Sequence, residues 1–346
     1  MTPPRVPDRP TVADADLRGA LETALASHFG RPVRVTAFDR RPSPYQTSAA
    51  IEELDVELDD GVRLQIMFKD ASLGAQHDGA RRTKPSFLHD PVREIETYRR
   101  VLAAHRLGTA TCYGAVVDPP RGRYWLFLER MRGVGLYEVG ELATWQRVAA
   151  SLADMHRTFA DAGVPAEAHA VNALRHDPDY YRVWVERAQR FFHQDAGADR
   201  VAGGLAWLAS RHDAVIDRLM ALPATFVHGE FYPSNVLVQE TAGALRVCPI
   251  DWEMAAVGPG LIDLAALTAG AWSAEERTAI AAAYYTTLEP HGTPWARRED
   301  FMADLACCRV QVALQWLGWF GRRRAPAEHT QNWLDDGLRA AREIGL

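Results

Sequence analysis

A chain of 346 residues exceeds the usual range of a single domain, and its composition, 47% hydrophobic and 24% charged with ten Trp, is that of a globular protein with ample apolar mass. The balance of 39 Lys+Arg against 45 Asp+Glu, a net −6, argues against a nucleic-acid or anionic-membrane binder that works by bulk charge. Four cysteines without a CxxC spacing support neither a zinc site nor a disulfide framework, and a reducing cytoplasm is the simplest setting.

The N-terminus, "MTPPRVPDRPTVADADL", carries prolines and charges where a signal peptide has an apolar core, so residues 1–16 read as a flexible arm. "LRGALETALASHFG" then has apolar residues at helical spacing and stops at Gly30. Three strand signals follow, "VRVTAFDR", "AAIEELDVELDDG" and "VRLQIMFKD", with Asp60-Gly61 as a hairpin turn between the last two. "PVREIETYRRVLAAHRLG" reads as a helix with Pro91 in its first turn and Gly108 beyond its end. "CYGAVVDPPRGRYWLFLERM" reads as two further strands around a Pro-Pro-Arg-Gly turn. Residues 17–131 therefore form a β-rich lobe. From "ELATWQRVAASLADMHRTFADAG" onward helical periodicity dominates, so 132–346 form a second, mainly helical lobe. Near its end "VQVALQWLGWFG" falls short of the roughly 18 apolar residues of a membrane helix and runs into Arg322-Arg323-Arg324, a solvated helix end. A soluble, cytoplasmic protein of α+β class, with no nucleic-acid or membrane partner, is the expectation; oligomeric state is left open.

The helical lobe is interrupted by "FVHGEFYPSNVLV" at 226–238 and by "LRVCPIDWEMAAVGPG". Glu230 and Asn235 fall on a loop between two short apolar strands, and Asp251 falls at the end of the next strand. Hairpin-related strands would bring the three to one edge. A carboxylate, an amide and a second carboxylate make sense for Mg²⁺ with a nucleoside triphosphate. Mg²⁺ takes oxygen ligands and leaves the remaining positions to water and phosphate. Phosphoryl transfer then needs positioning, charge neutralisation and one carboxylate near the acceptor hydroxyl.

On these residues the chain resembles the aminoglycoside phosphotransferase and choline kinase superfamily, whose loop reads His-Gly-Asp-x4-Asn and whose metal segment reads Ile-Asp-Trp, followed by Asp-Leu-Ala. Here the corresponding residues are His228-Gly229-Glu230-x4-Asn235, Ile250-Asp251-Trp252 and Asp263-Leu264-Ala265, with Glu in place of the family's Asp. The resemblance implies a two-lobed, protein-kinase-like fold with nucleotide in the cleft, and a magnesium-dependent transfer of the γ-phosphoryl of ATP or GTP to a hydroxyl. It implies that Asn235 and Asp251 hold Mg²⁺ and that Glu230 orients and deprotonates the acceptor. Lys69 would contact the α and β phosphates, with Glu94, or failing that Glu96, paired to it. The connector "WLFLERM" would present backbone from Glu129 to Met131 to the adenine. The segment "DRRPSPYQTSAA" lacks the glycines of a protein-kinase loop, so Ser43, Thr47 and Ser48 are the candidates to cover the triphosphate.

His228 is expected to orient the loop, Asp263 to cap a helix or brace the loop, and His156 in "LADMH" to pack beneath it. Trp316 and Trp319 have the helical spacing of a core stripe. His176, Asp177, Asp179 and Tyr180 are either an exposed loop or an acceptor wall. The acceptor is open: an aminoglycoside, a sugar, an amino alcohol, a natural-product intermediate, or a peptide Ser/Thr. Two other classes stand beside the enzyme, a nucleotide-binding pseudokinase, favoured by the Glu in the loop, and an aromatic-rich binding protein without nucleotide affinity.

Overall fold

The computed structural model of the chain describes residues 12–44, 49–76, 84–105, 107–193, 199–320 and 331–346. Two compact units emerge, 1–81 with 111–130, and 82–110 with 131–346.

The first unit is an antiparallel sheet under one helix. Helix α1 (Asp14–Phe29) places Leu17, Leu21 and Leu25 on one face and ends at Gly30 in the left-handed conformation. Strands β1 (Val35–Pro42), β2 (Ala50–Leu58), β3 (Arg63–Asp70), β4 (Cys112–Asp118) and β5 (Arg123–Glu129) lie in the order β1-β2-β3-β5-β4. Alternation decides which face is core. Leu54, Val56 and Leu58 of β2 join Ile66, Phe68, Trp125 and Phe127 beneath α1. Glu53 and Asp55, on the opposite face, each pair with both Arg41 and Arg130, at 2.6–3.2 Å. The predicted turn closes the β2–β3 hairpin, with the Asp60 carboxylate accepting from the Val62 amide at 3.0 Å. At Gly114 a Cβ would lie 2.7 Å from that of Ala24, so the close seat of α1 on β4 requires glycine there.

The second unit begins with α2 (Pro91–Glu96), which continues through a π-helical turn over Thr97–Leu102 and a last turn at Ala103–His105. After β6 (Val134–Gly135) come α3 (Leu142–Asp161), β7 (Leu174–Arg175), α4 (Pro178–His193), α5 (Asp199–Ala209) and α6 (His212–Ala221). Four strands follow: β8 (Ala224–Val227), β9 (Val236–Thr241), β10 (Ala244–Pro249) and β11 (Ala256–Pro259). The chain closes with α7 (Leu261–Leu267), α8 (Ala274–Leu288), α9 (Arg298–Phe320) and α10 (Trp333–Glu343). The hairpin β9–β10 takes β6 as a third strand, while β11 pairs with β8 on one side and β7 on the other. Helix α3 packs on α8, and α9 packs on α4, α7 and α10. No described helix is long and apolar enough to cross a membrane.

The β-rich N-terminal and helical C-terminal character agrees with the sequence reading, but segment 82–110, read as part of the first lobe, packs with the second unit. The cause is a set of bonds that no periodicity displays. Arg93, 3% exposed, donates to the carbonyls of Asn172 (2.7 Å), Glu253 (2.8 Å) and Leu88 (3.2 Å). Lys84 pairs with the Glu253 carboxylate at 2.6 Å, and Arg246 donates to the carbonyls of Gly108 and Thr109. Of the expected N-terminal arm, residues 1–11 lie outside the described residues, and α1 already starts at Asp14. Arg93→Met keeps an apolar stem but removes the donor from three carbonyls, one of them on buried Leu88. It is expected to cost about 3 kcal/mol, read as a fall in the urea unfolding midpoint. An unchanged midpoint would show that those carbonyls do not depend on Arg93.

Candidate active site

The loop that follows β8 is shaped by what its backbone amides must satisfy. Asp263, in the first turn of α7 and fully buried, accepts from the amides of His228 (2.7 Å) and Gly229 (2.9 Å). Its Oδ2 also accepts from His156 Nε2 at 3.1 Å, and His156 Nδ1 in turn accepts from the Tyr284 hydroxyl at 3.0 Å. Gly229 has φ of 84°, and a Cβ there would sit 2.4 Å from the Met254 carbonyl. Glycine is therefore required both by conformation and by space.

His228, also fully buried, fixes the two sides of the site to each other. Its Nε2 donates to the Ile250 carbonyl at 2.8 Å, and its Nδ1 accepts from the Glu230 amide at 3.2 Å, which sets the neutral tautomer. The Glu230 carbonyl accepts from the Tyr232 amide (2.7 Å) and from Asn235 Nδ2 (3.0 Å). That bond leaves Asn235 Oδ1 as the atom of the amide available for a cation. Between β9 and β10 the ladder extends by one bond, from the Ile250 amide to the Asn235 carbonyl at 2.9 Å. Asp251 comes next, in the left-handed conformation at φ 66°. This is uncommon for a residue with a side chain, costs of order 1 kcal/mol, and is held here by Trp252, which is fully buried. Trp252 lies against His228 (4.6 Å between centroids) and stacks on Phe226. Glu230, Asn235 and Asp251 are thus brought together, as the strand spacing implies.

Electrostatics reinforce the arrangement. Burial pushes the Asp263 carboxyl up, but the imidazoles of His156 and His228 and the His228 amide outweigh it, and the group is held below the usual carboxylate range. Burial pushes His176 down to about 4. Its ring stacks on Tyr180 at 4.3 Å, with neither nitrogen hydrogen-bonded among the described residues.

The remaining sequence candidates are more dispersed. Lys69 is buried near the end of β3 in the first unit, and Glu94 is buried in α2 of the second. Glu96, the fallback partner, is held within its own helix by Arg99 at 2.7 Å and by Arg100. Ser43 is buried and donates its amide to Ile51 at 2.9 Å, whereas Thr47 and Ser48 lie outside the described residues. The Glu129 carboxylate accepts from the Thr111 amide and hydroxyl, both at 3.0 Å, and Met131 is buried. His176 and Tyr180 belong to a buried aromatic group with Trp184, while Asp177 accepts from the Tyr180 amide and Asp179 faces solvent. Trp316 stacks on Trp333 and Trp319 on Trp184, as a core stripe does; Arg322 to Arg324 lie outside the described residues. Asp263 is a brace for the loop and not the helix cap, which is Gly260. Tyr284 and Arg93 carry no local signal in the sequence. Only the close approach at Gly229, next to a polar run, was there to be read.

The model of the phosphotransferase enzyme family matches residues 80–301, well over half of the chain. The chain belongs to that phosphotransferase family. No curated protein matches it in sequence. Among solved structures, this phosphotransferase is similar to a microcompartment-associated aminopropanol kinase, at 17% identity over 89% of this chain and 90% of that one, with a TM-score of 0.56. It is also similar to the GDP complex of an aminoglycoside 2'-phosphotransferase, at 12% identity over 94% and 98% of the two chains (TM-score 0.55). A third is a spectinomycin phosphotransferase in complex with ADP and spectinomycin, at 14% identity over 98% and 96% (TM-score 0.51). At such identities the similarity concerns the fold, which is the protein-kinase-like one that the resemblance implies.

Two outcomes follow from the site. Asp263→Asn replaces an acceptor of three bonds by a group that presents N–H to at least one donor. The expected loss is about 3 kcal/mol, read as the urea midpoint, and an unaltered midpoint would refute the bracing role. His176 is neutral when folded and free to protonate when unfolded. Between pH 6.5 and about 4 the unfolded chain therefore binds the extra proton, and stability falls as pH falls, by roughly 3 kcal/mol across the window. His176→Phe, which keeps a stacking ring, should flatten that part of the stability profile; an unchanged profile would place the titration elsewhere.

Proposed function

We propose that the chain transfers the γ-phosphoryl group of ATP or GTP to a hydroxyl of a small molecule, in a magnesium-dependent reaction. The observation that carries this reading is the node formed by Asp263 and His228. Through it the backbone of Glu230, the turn of Asn235 and the end of β10 before Asp251 are tied by hydrogen bonds of 2.7–3.2 Å. A binding scaffold has no use for a carboxylate, an amide oxygen and a second carboxylate fixed so closely.

The donor set fits Mg²⁺ held jointly with phosphate. Among the described residues no group of three or more His, Cys, Asp or Glu is arranged to hold a metal by itself, and Asp251 with Asn235 Oδ1 supplies two hard oxygens. An ion of that kind leaves its other positions to water and phosphate oxygens, whose charge it offsets when bound. Asp251, fixed by its left-handed backbone, and Asn235, fixed through its Nδ2, orient those oxygens without further rearrangement. Glu230 positions the acceptor hydroxyl and takes its proton as the bond to the γ-phosphorus forms and the bridging oxygen leaves with the nucleoside diphosphate. Lys69 with Glu94, Ser43 with Thr47 and Ser48, and the backbone from Glu129 to Met131 keep the nucleotide-binding roles that the resemblance implies. The ADP and GDP of the similar structures support a nucleotide cosubstrate. Aminopropanol, ethanolamine and aminoglycosides, named for the similar kinases, set the range of acceptors worth testing first.

The test combines binding with turnover. ATP and Mg²⁺ together, but neither alone, should raise the melting temperature, and Asp251→Ala should abolish the rise; at ~100 times Kd the stabilisation is ~2.7 kcal/mol. Glu230→Gln should lower turnover by about 10²-fold or more while nucleotide binding persists. Nucleotide binding with turnover indifferent to Gln would remove Glu230 from the role of base. The absence of any shift with ATP or GTP would sink the kinase reading.

A further inference from the structure

Among α7, α8, α9 and α10, on the side of α7 away from Asp263, lies a small half-open cavity, whose empty space of about 270 Å³ is for the most part open to solvent. Its polar lining is Thr268, Arg277, Arg309, Trp333 and Asp336, over small apolar residues.

Two guanidinium groups meet at this cavity, and among the described residues no carboxylate bridges them. Arg277, 6% exposed, donates Nε to the Thr268 carbonyl at 3.3 Å and Nη2 to those of Gly270 and Trp272 at 3.3 and 3.4 Å. These are the carbonyls at and just beyond the C-terminus of α7, where a cation belongs. Capping accounts for those two nitrogens and leaves Nη1 without a partner among the described residues. Arg309 places Nη1 on Glu343 at 2.7 Å, which leaves its Nε and Nη2 equally without partners there. The buried Trp333 N–H also has no acceptor among the described residues. Burial lowers the Arg277 pKa, and the charge of Arg309 lowers it further, which is the mark of like charges held close.

Asp336 is the counterweight. Its Oδ1 accepts from Arg339 at 3.0 Å, and its Oδ2 has no partner among the described residues. Burial raises its pKa against the pull of Arg339, Arg277 and Arg309. The charged groups around the cavity are thus Arg277, Arg309 and Arg339 against Asp335, Asp336 and Glu343, with Arg277, Arg309 and Asp336 lining it.

We propose that this cavity is a binding site for inorganic phosphate in its protonated form, with its charged oxygens on Arg277 Nη1 and the open edge of Arg309 and its P–OH donated to Asp336. Guanidinium groups match the oxygens of phosphate, while a carboxylate facing the same ion tolerates only an oxyanion that brings a proton. Sulfate has the same size and shape but carries no proton at neutral pH. It meets the carboxylate as an unrelieved repulsion.

The discriminating experiment compares the full chain in inorganic phosphate and in sulfate at pH 7 and matched ionic strength. Phosphate should raise the melting temperature by about 2 °C more than sulfate does. Arg309→Gln should abolish that difference, and so should Asp336→Ala, each variant being its own baseline. If Arg309→Gln does not fold, Arg309→Lys serves, since it keeps the charge but loses the fork. Equal effects of the two anions on the wild-type chain would overturn the proposal. So would a phosphate increment that survives in the Arg309 variant, since the ion would then be bound elsewhere, the nucleotide-phosphate site included.

Discussion

A carboxylate with no exposure to water is the group on which the rest of this site depends. Asp263 is ionised inside the second unit and is made tolerable by donors on three sides, the amides of His228 and Gly229 and the imidazole of His156. A buried charge of this kind is costly unless each lone pair is occupied. The consequence is geometric. The start of α7, the end of β8 and the middle of α3 are fixed to one another because each supplies part of the solvation that water would otherwise provide. The same requirement explains Gly229, whose backbone must pass within contact of Met254 to bring both amides to one carboxylate.

From that anchor the constraint spreads outward through His228. One imidazole serves as acceptor toward the Glu230 amide and donor toward the Ile250 carbonyl, so the loop and the strand end before Asp251 cannot drift apart independently. The turn after Asp251 is then held from the other side, where Arg93 takes the Glu253 carbonyl and Lys84 its carboxylate. The left-handed backbone of Asp251 is sustained between these two restraints. A strained residue persists only where its surroundings over-determine it.

How much of this was legible depended on whether the cause was local. The hairpin at Asp60-Gly61, the stop of α1 at Gly30 and the alternation of β2 were all readable, because turn chemistry and period two act over a few residues. The trio Glu230, Asn235 and Asp251 was readable because a hairpin returns to its own start, and β9–β10 does so. The partition of 82–110 was not, since Arg93 finds its acceptors on residues 172 and 253, and nothing in a helical repeat names a distant carbonyl. The π-helical turn at Thr97–Leu102 was hidden for a different reason: its hydrophobic spacing imitates an ordinary helix. Tyr284 could not be foreseen as the partner of His156, because both sit on helices whose apolar faces explain them fully without that bond.

The glutamate in the loop is best understood from this same hierarchy. Three hydrogen bonds that shape residues 228–235 run through the backbone of Glu230: its amide to His228, its carbonyl to Tyr232 and Asn235. Those three bonds do not depend on the length of that side chain. An added methylene leaves these backbone bonds to be made as before and displaces the carboxylate by about one bond length. Loss of a catalytic role is commonly accompanied by decay of the groups that served it, and here the supporting bonds are all in place. Under the proposed function, the substitution reads as a change in where an acceptor hydroxyl would sit relative to the backbone bonds that tie Asn235 and the strand end before Asp251.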